Sequence, residues 1–165
     1  DFCLSRGLGD VYKRQDVIHV ETTLEMQSAL QAHFDSCDIL IMSAAVADAR
    51  PMQISEQKIK KATLNSIELQ QNPDLLAELS PRKGKRVMVG FAAETKEHLQ
   101  EARRKLESKG LDVIYVNDVS GGAIFGQDTT MGTILVRNEA DIAIKEVSKD
   151  ALSNVLLDHA IRQLG

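Results

Sequence analysis

The chain has 165 residues, enough for one domain with a real core, and 43% of them are hydrophobic, too many for a disordered polymer. A formal net charge of -4 gives no broad electrostatic reason to bind nucleic acid or an anionic membrane, and no apolar run reaches the roughly 18 residues of a bilayer span. With 4% aromatic residues and no Trp the core must be aliphatic, and two cysteines, Cys3 and Cys37, do not make a disulfide framework, which points to a reducing cytoplasm.

Residues 1–15 stand apart. Asp10-Val11-Tyr12-Lys13-Arg14-Gln15 reads like the translation of a transposon-end sequencing adapter. The segment has no clear hydrophobic period and no charged stretch followed by an apolar one, as a signal peptide would. It is set aside as a non-native piece, Cys3 included, with a short native arm as the other reading. The domain is then residues 16–165.

From Asp16 onward, strand-like and helix-like patterns alternate. Val17 to Val20 is a short β-prone run. Thr22 or Thr23 caps a predicted helix through about Ser36, with Met26, Ala29, Leu30 and Phe34 on one face. Ile39 to Ala45 is apolar almost without interruption, which predicts a strand covered on both faces. Residues 49–63 are polar and contain Pro51, so they read as a long loop; Ser66 to Leu69 reads as a short strand. Pro73 is expected at the first position of a short helix ending at Leu79.

The second half repeats the rhythm. Val87 to Ala92 is a buried strand, Thr95 caps a helix to about Lys109, and Gly110 stops it. Val113 to Val116 is the next strand, followed by a loop with Gly121, Gly122 and Gly126. Gly132 to Val136 and Ala140 to Val147 form a hairpin turning near Asn138-Glu139. The last helix runs from Ser148 to about Gln163, with Leu152, Val155, Leu156 and Ala160 on one face. The order implies an α/β fold: a mostly parallel sheet with helices on both faces and an antiparallel C-terminal hairpin.

Ligands of such sheets bind at the carboxyl ends of the strands, so the loops there are the ones to inspect. Ala44, Ala45 and Ala47 would let a flat ligand lie against the backbone. Asp48 beyond them could accept hydrogen bonds or hold a divalent ion bridging phosphates, or it could simply cap a turn. Lys58-Ile59-Lys60-Lys61 concentrates positive charge; it is either a basic flap that neutralises phosphate charge or a solvated run. Lys105 and Lys109 lie four apart and share a helix face, where they could hold a triphosphate tail, although Glu101 is placed to pair with Lys105. Phe91 is either core or a ring for stacking on a base. The glycines match neither a phosphate-binding Walker loop nor a dinucleotide fingerprint, which disfavours an NAD-dependent oxidoreductase. His19, His33, His98 and His159 lack partners at zinc-ligand spacing, and nothing around Cys37 suggests an activated thiol.

Taken in order, five motifs are specific. They are Ser43-Ala44-Ala45-Val46-Ala47-Asp48, Lys58-Ile59-Lys60-Lys61, Gln71-Asn72-Pro73-Asp74, Gly90-Phe91-Ala92-Ala93-Glu94-Thr95 and Asn117-Asp118-Val119-Ser120. Over residues 16–165 the chain closely resembles bacterial phosphopantothenoylcysteine synthetase, the carboxy-terminal half of a bifunctional coenzyme A biosynthesis protein whose other half is a flavin-dependent decarboxylase. The resemblance implies a Rossmann-like fold and a phosphopantothenate–cysteine ligase. Such an enzyme activates 4′-phosphopantothenate with CTP as an acyl-cytidylate, then joins it to L-cysteine, releasing CMP and pyrophosphate. It implies that Met42, Ser43, Ala44 and Asp48 line the nucleotide site. Pro73, Asp74, Leu75, Leu76 and Phe91 would complete that pocket, with Lys105 and Lys109 on the triphosphate and Lys58 as the catalytic lysine. Magnesium is implied with CTP, and FMN only in the upstream decarboxylase domain, which is absent from this sequence. A homodimer or higher homo-oligomer of the full-length protein is expected from the family.

Two departures qualify the resemblance. The family's Gly-rich opening strand–loop–helix and its following Asn/Ser-rich segment have no match in residues 1–15, so this polypeptide alone is expected to be inactive or nearly so. Relatives in other lineages use ATP, and a non-catalytic nucleotide-binding domain of the same fold is a further alternative.

Overall fold

The computed structural model describes residues 16–53, 55, 57, 65–94, 99–118 and 128–165, apart from the side chains of Glu94 and Asp118. Lys58, Lys60 and Lys61, the proposed Thr95 cap and the glycine loop at 121–126 therefore lie outside the described residues.

Five strands make the main sheet, in the order β1 (Ile39–Met42), β4 (Val87–Glu94), β5 (Val113–Asp118), β6 (Thr129–Val136) and β7 (Ile142–Ser148). β1 pairs parallel with β4 and β4 parallel with β5, whereas β6 runs antiparallel to both its neighbours. Four of the five strands thus point the same way, and β6–β7 is the expected C-terminal hairpin. Its turn places Asn138 at φ 61°, a left-handed conformation that asparagine tolerates. A separate antiparallel ribbon pairs β2 (Ala49–Pro51) with β3 (Leu69–Gln71).

Helices cover both faces of the sheet. On one side α3 (Leu99–Ser108) and α2 (Leu75–Leu79) pack Ala102, Leu106 and Leu79 onto Met88, Ile114 and Leu135, with Phe34 beside them. On the other, α4 (Lys149–Gln163) lays Leu152, Leu156 and Ala160 on Val87, Val89, Val113 and Ile134. Both layers are aliphatic, as the composition requires.

Local signals place the helix ends. Thr22 caps α1 (Thr23–His33): its hydroxyl accepts from Glu25 N at 3.2 Å while the Glu25 carboxylate accepts from Thr22 N at 3.0 Å. Ser148 caps α4 by accepting from Ala151 N at 3.1 Å. Gly110 follows α3 at φ 65°, and a Cβ there would lie 2.0 Å from Ser80 Oγ. At the opposite end of the sheet from the strand-end loops, Asp112 is buried. Its carboxylate accepts from Met88 N at 2.8 Å, pairs with Lys83 and stands 3.7 Å from Arg137 Nε.

Several expectations are corrected. Val17 to Val20 forms no strand. The run from Ile39 to Ala45 is strand only to Met42, and β1 lies at the sheet edge with Ile41 exposed instead of covered on both faces. The predicted loop from residue 49 begins with β2, and the strand expected over Ser66–Leu69 falls at Leu69–Gln71. α1 carries no buried residue: the face expected of Met26, Ala29 and Leu30 is only partly covered, and Phe34 is buried in the 3-10 turn that follows. Pro73 is not the first helical residue. Asp74 is the cap of α2, accepting from Ala77 N at 3.2 Å, so Pro73 precedes the cap.

Candidate nucleotide site

At the carboxyl end of the sheet the β2–β3 ribbon is tied to the segment that leaves β1. Asn72 is the fastener. Its amide group donates to Ala47 O and its backbone N–H to Asp48 O, both at 2.8 Å. Arg50 reaches back to Asn72 Oδ1 at 2.8 Å and to Gln71 O at 3.0 Å. These bonds bring the 44–48 segment and the 72–76 segment, far apart in sequence, to one wall.

The result is a cavity of about 570 Å³ lined by Met42, Ala44 to Asp48, Asn72 to Leu76, Phe91 to Ala93, Lys105 and Lys109. Met42, Ala44, Asp48, Pro73, Asp74, Leu75, Leu76, Phe91, Lys105 and Lys109 therefore converge on one space. Ser43 lies instead on the wall of an adjoining cavity of about 390 Å³, which shares Ala44, Ala45 and Phe91 to Ala93 with the first. Lys58 lies outside the described residues, so its place relative to the cavity is not part of this geometry.

The wall chemistry suits a nucleotide. The alanines leave room close to the backbone, and Phe91, within β4, presents a half-exposed ring, 39% accessible. α3 supplies Lys105, and Lys109 follows one residue past its end, tied by Lys109 N donating to Lys105 O at 3.0 Å. Lys109 Nζ meets Asp74 Oδ2 at 3.0 Å across the cavity wall. Glu101 accepts from Arg104 Nε at 3.0 Å and Nη2 at 2.5 Å.

Sequence reasoning missed one polar group beside this site. On the adjoining cavity's wall the Thr130 hydroxyl donates to Asn117 Oδ1 at 3.0 Å, leaving its oxygen to accept from Tyr115 OH at 2.8 Å. Close packing makes this possible. A Cβ at Gly132 would lie 2.1 Å from Val116 O and 2.9 Å from the Tyr115 hydroxyl. The alternation in β5 and β6 hid the pairing, because hydrogen bonds across strands depend on register. Cys37 is remote from both cavities; burial pushes its thiol pKa up, in keeping with an unactivated cysteine. Among the described residues no group of three or more His, Cys, Asp or Glu side chains could hold a metal ion, and no helix is long and apolar enough to cross a membrane.

A family model described as the DNA/pantothenate metabolism flavoprotein C-terminal domain matches residues 8–164. The coenzyme A biosynthesis bifunctional protein CoaBC of Bacillus subtilis (strain 168) is 40% identical over 125 residues, covering 74% of this chain and 31% of that protein. The protein of the same description from Vibrio cholerae serotype O1 is 40% identical over 151 residues, 88% of this chain and 37% of its own length. The chain thus spans about a third of the length of these relatives. Among solved structures, the crystal structure of the C-terminal domain of coenzyme A biosynthesis bifunctional protein CoaBC aligns with a TM-score of 0.69 at 28% identity, covering 86% of this chain and 62% of that one.

Proposed function

The chain belongs to the DNA/pantothenate metabolism flavoprotein C-terminal domain family, and from that premise we propose that it carries the nucleotide-binding part of a phosphopantothenate–cysteine ligase of coenzyme A biosynthesis. The observation that supports this reading best is the convergence of three sequence-distant segments, around Asp48, Asp74 and Phe91, with Lys105 and Lys109 on a single cavity.

The chemistry explains why such a cavity is needed. A carboxylate is a poor electrophile until its oxygen becomes part of a good leaving group. In the proposed first step the carboxylate of 4′-phosphopantothenate attacks the α-phosphorus of CTP; the bond to pyrophosphate breaks and an acyl-cytidylate remains. The amine of L-cysteine then attacks the acyl carbon, the carbon–oxygen bond breaks, and CMP departs. Charge builds on the phosphates in the first step, and fixed cations stabilise it better than water does. Lys105 and Lys109 are assigned to the triphosphate, Phe91 and the alanines to the base, and Lys58 to the reacting phosphate and acyl group. Magnesium would arrive on the triphosphate, and since that ion needs only one or two protein carboxylates, the exposed Asp48 fits as its partner.

Calorimetric titration of the chain with magnesium-bound CTP and ATP tests the reading. Saturable binding, weakened by Lys105→Ala, is expected. A preference for CTP over ATP supports the cytidylate route, and the reverse preference moves the assignment to an ATP-using ligase of the same class. Failure of both triphosphates to bind removes the proposal. In the longer protein, Lys58→Gln is expected to abolish turnover, and unchanged turnover overturns the catalytic assignment.

A further inference from the structure

We infer that Asp74 is the resident counter-ion of Lys109 and that the outer phosphates of an arriving nucleoside triphosphate take the ammonium from it. This inference rests on the nucleotide reading of the same cavity. It adds a positioning residue that discriminates by phosphate chain length.

Asp74 has two engagements at once. Oδ1 accepts from Ala77 N at 3.2 Å and starts α2, while Oδ2 meets Lys109 Nζ at 3.0 Å. The first bond pins the carboxylate to the backbone, so it cannot follow the lysine. Lys109 has the opposite freedom: its backbone is fixed by the bond to Lys105 O, and its long side chain alone has to swing. Both side chains line the cavity and both are partly open to solvent, at 32% for Lys109 and 46% for Asp74. An ion pair of that exposure is weak and exchangeable.

The charge balance gives the exchange its direction. A polyphosphate carries more negative charge than one carboxylate, so it outcompetes Asp74 for Lys109 wherever it can reach. A nucleoside monophosphate whose single phosphate stops short leaves the pair intact. It therefore meets a neutralised wall, whereas a triphosphate meets an available cation. Once pyrophosphate has formed and begins to leave, Asp74 retakes the ammonium, and Lys109 no longer holds the leaving anion. Asp74 touches no reacting atom in this scheme; it sets what Lys109 costs to recruit.

The test is calorimetric titration of the chain with whichever of magnesium-bound CTP or ATP binds, and with its monophosphate. Four proteins are compared: the unaltered chain, Asp74→Asn, Lys109→Ala and the double variant. Asparagine caps a helix about as well as aspartate, so Asp74→Asn removes the charge and keeps α2. Triphosphate affinity should rise about two- to fivefold in Asp74→Asn, the range an exposed pair carries. Monophosphate affinity should stay the same, and in the Lys109→Ala background the gain should disappear. A merely structural role for Asp74 predicts weaker binding of both ligands, or none of these changes, and either result overturns the inference. So does a gain that persists without Lys109. If Lys109→Ala itself leaves triphosphate binding untouched, the assignment of Lys109 to the phosphates fails first, and the inference falls with it.

Discussion

Phe91 meets the ring of Tyr115 edge to face, with centroids 6.1 Å apart and planes inclined at 73°, so the half-exposed ring of the cavity is braced by one that is buried. Tyr115 is held in turn by its hydroxyl bond to Thr130. The ring offered to a ligand is therefore fixed before any ligand arrives, and little ordering entropy remains to be lost on binding.

Phe91→Ala should accordingly separate binding from stability. Loss of base stacking is expected to weaken nucleotide binding by about 1–3 kcal/mol. The melting temperature should fall little, because Phe91 is not in the core. Calorimetry and thermal unfolding on the same variant check both halves; a large stability loss with unchanged binding would make Phe91 a structural residue.

Gly132→Ala should be costly at a site that no ligand touches. The added methyl group would collide with the backbone oxygen of Val116, 2.1 Å away, and β5 and β6 are hydrogen-bonded there and cannot part freely. We expect a loss of about 2 kcal/mol, typical of overpacking in a core. Denaturant unfolding measures it, and a loss of the Tyr115–Thr130 contact should accompany it.

Asp112 gives a third prediction. Its carboxylate serves Met88 N, Lys83 and Arg137 together, with Lys83 itself only 18% exposed. Asp112→Ala strands a buried amide and a poorly solvated cation, and should destabilise by about 3 kcal/mol. Nucleotide affinity, measured below the unfolding transition, should be unchanged because the cluster sits at the other end of the sheet.

The capping box of α1 makes stability depend on acidity. Glu25 accepts from the backbone N–H of Glu21 and of Thr22, which lowers its pKa below the ordinary value of 4.5. A carboxyl whose pKa is depressed by folding contributes stability above its unfolded value and loses that contribution as pH falls through the folded one. The difference in melting temperature between the unaltered chain and Glu25→Ala should be constant at neutral pH and shrink on acidification below 4.5. A difference that grows on acidification contradicts the assignment.

What could be read from the sequence was whatever depends on near neighbours. Thr22 and Ser148 announce their helices because a cap and its partner lie within three residues. The antiparallel hairpin is legible for the same reason. The ribbon of β2 and β3 is not: its partners are about twenty residues apart, and Pro51 reads as a strand breaker although it is harmless at the end of an unpaired edge. Val17 to Val20 shows the converse, since β-propensity alone does not make a strand there. The ordered motifs named ten of the residues that line the larger cavity, but not Ser43, which lines the adjoining one. They said nothing of the Asp74–Lys109 pair, which only the packing of α2 against the end of α3 reveals.

The ribbon has one more consequence. Because β2 and β3 hydrogen-bond to each other and not to the five-stranded sheet, half of the cavity wall hangs on a few solvent-facing bonds centred on Asn72. The other half belongs to β4, whose cavity-lining residues Phe91 to Ala93 are paired with β5 inside the five-stranded sheet. Hydrogen exchange should therefore divide the pocket in two, with a quick side and a slow side, and a bound ligand that spans both should slow the quick one.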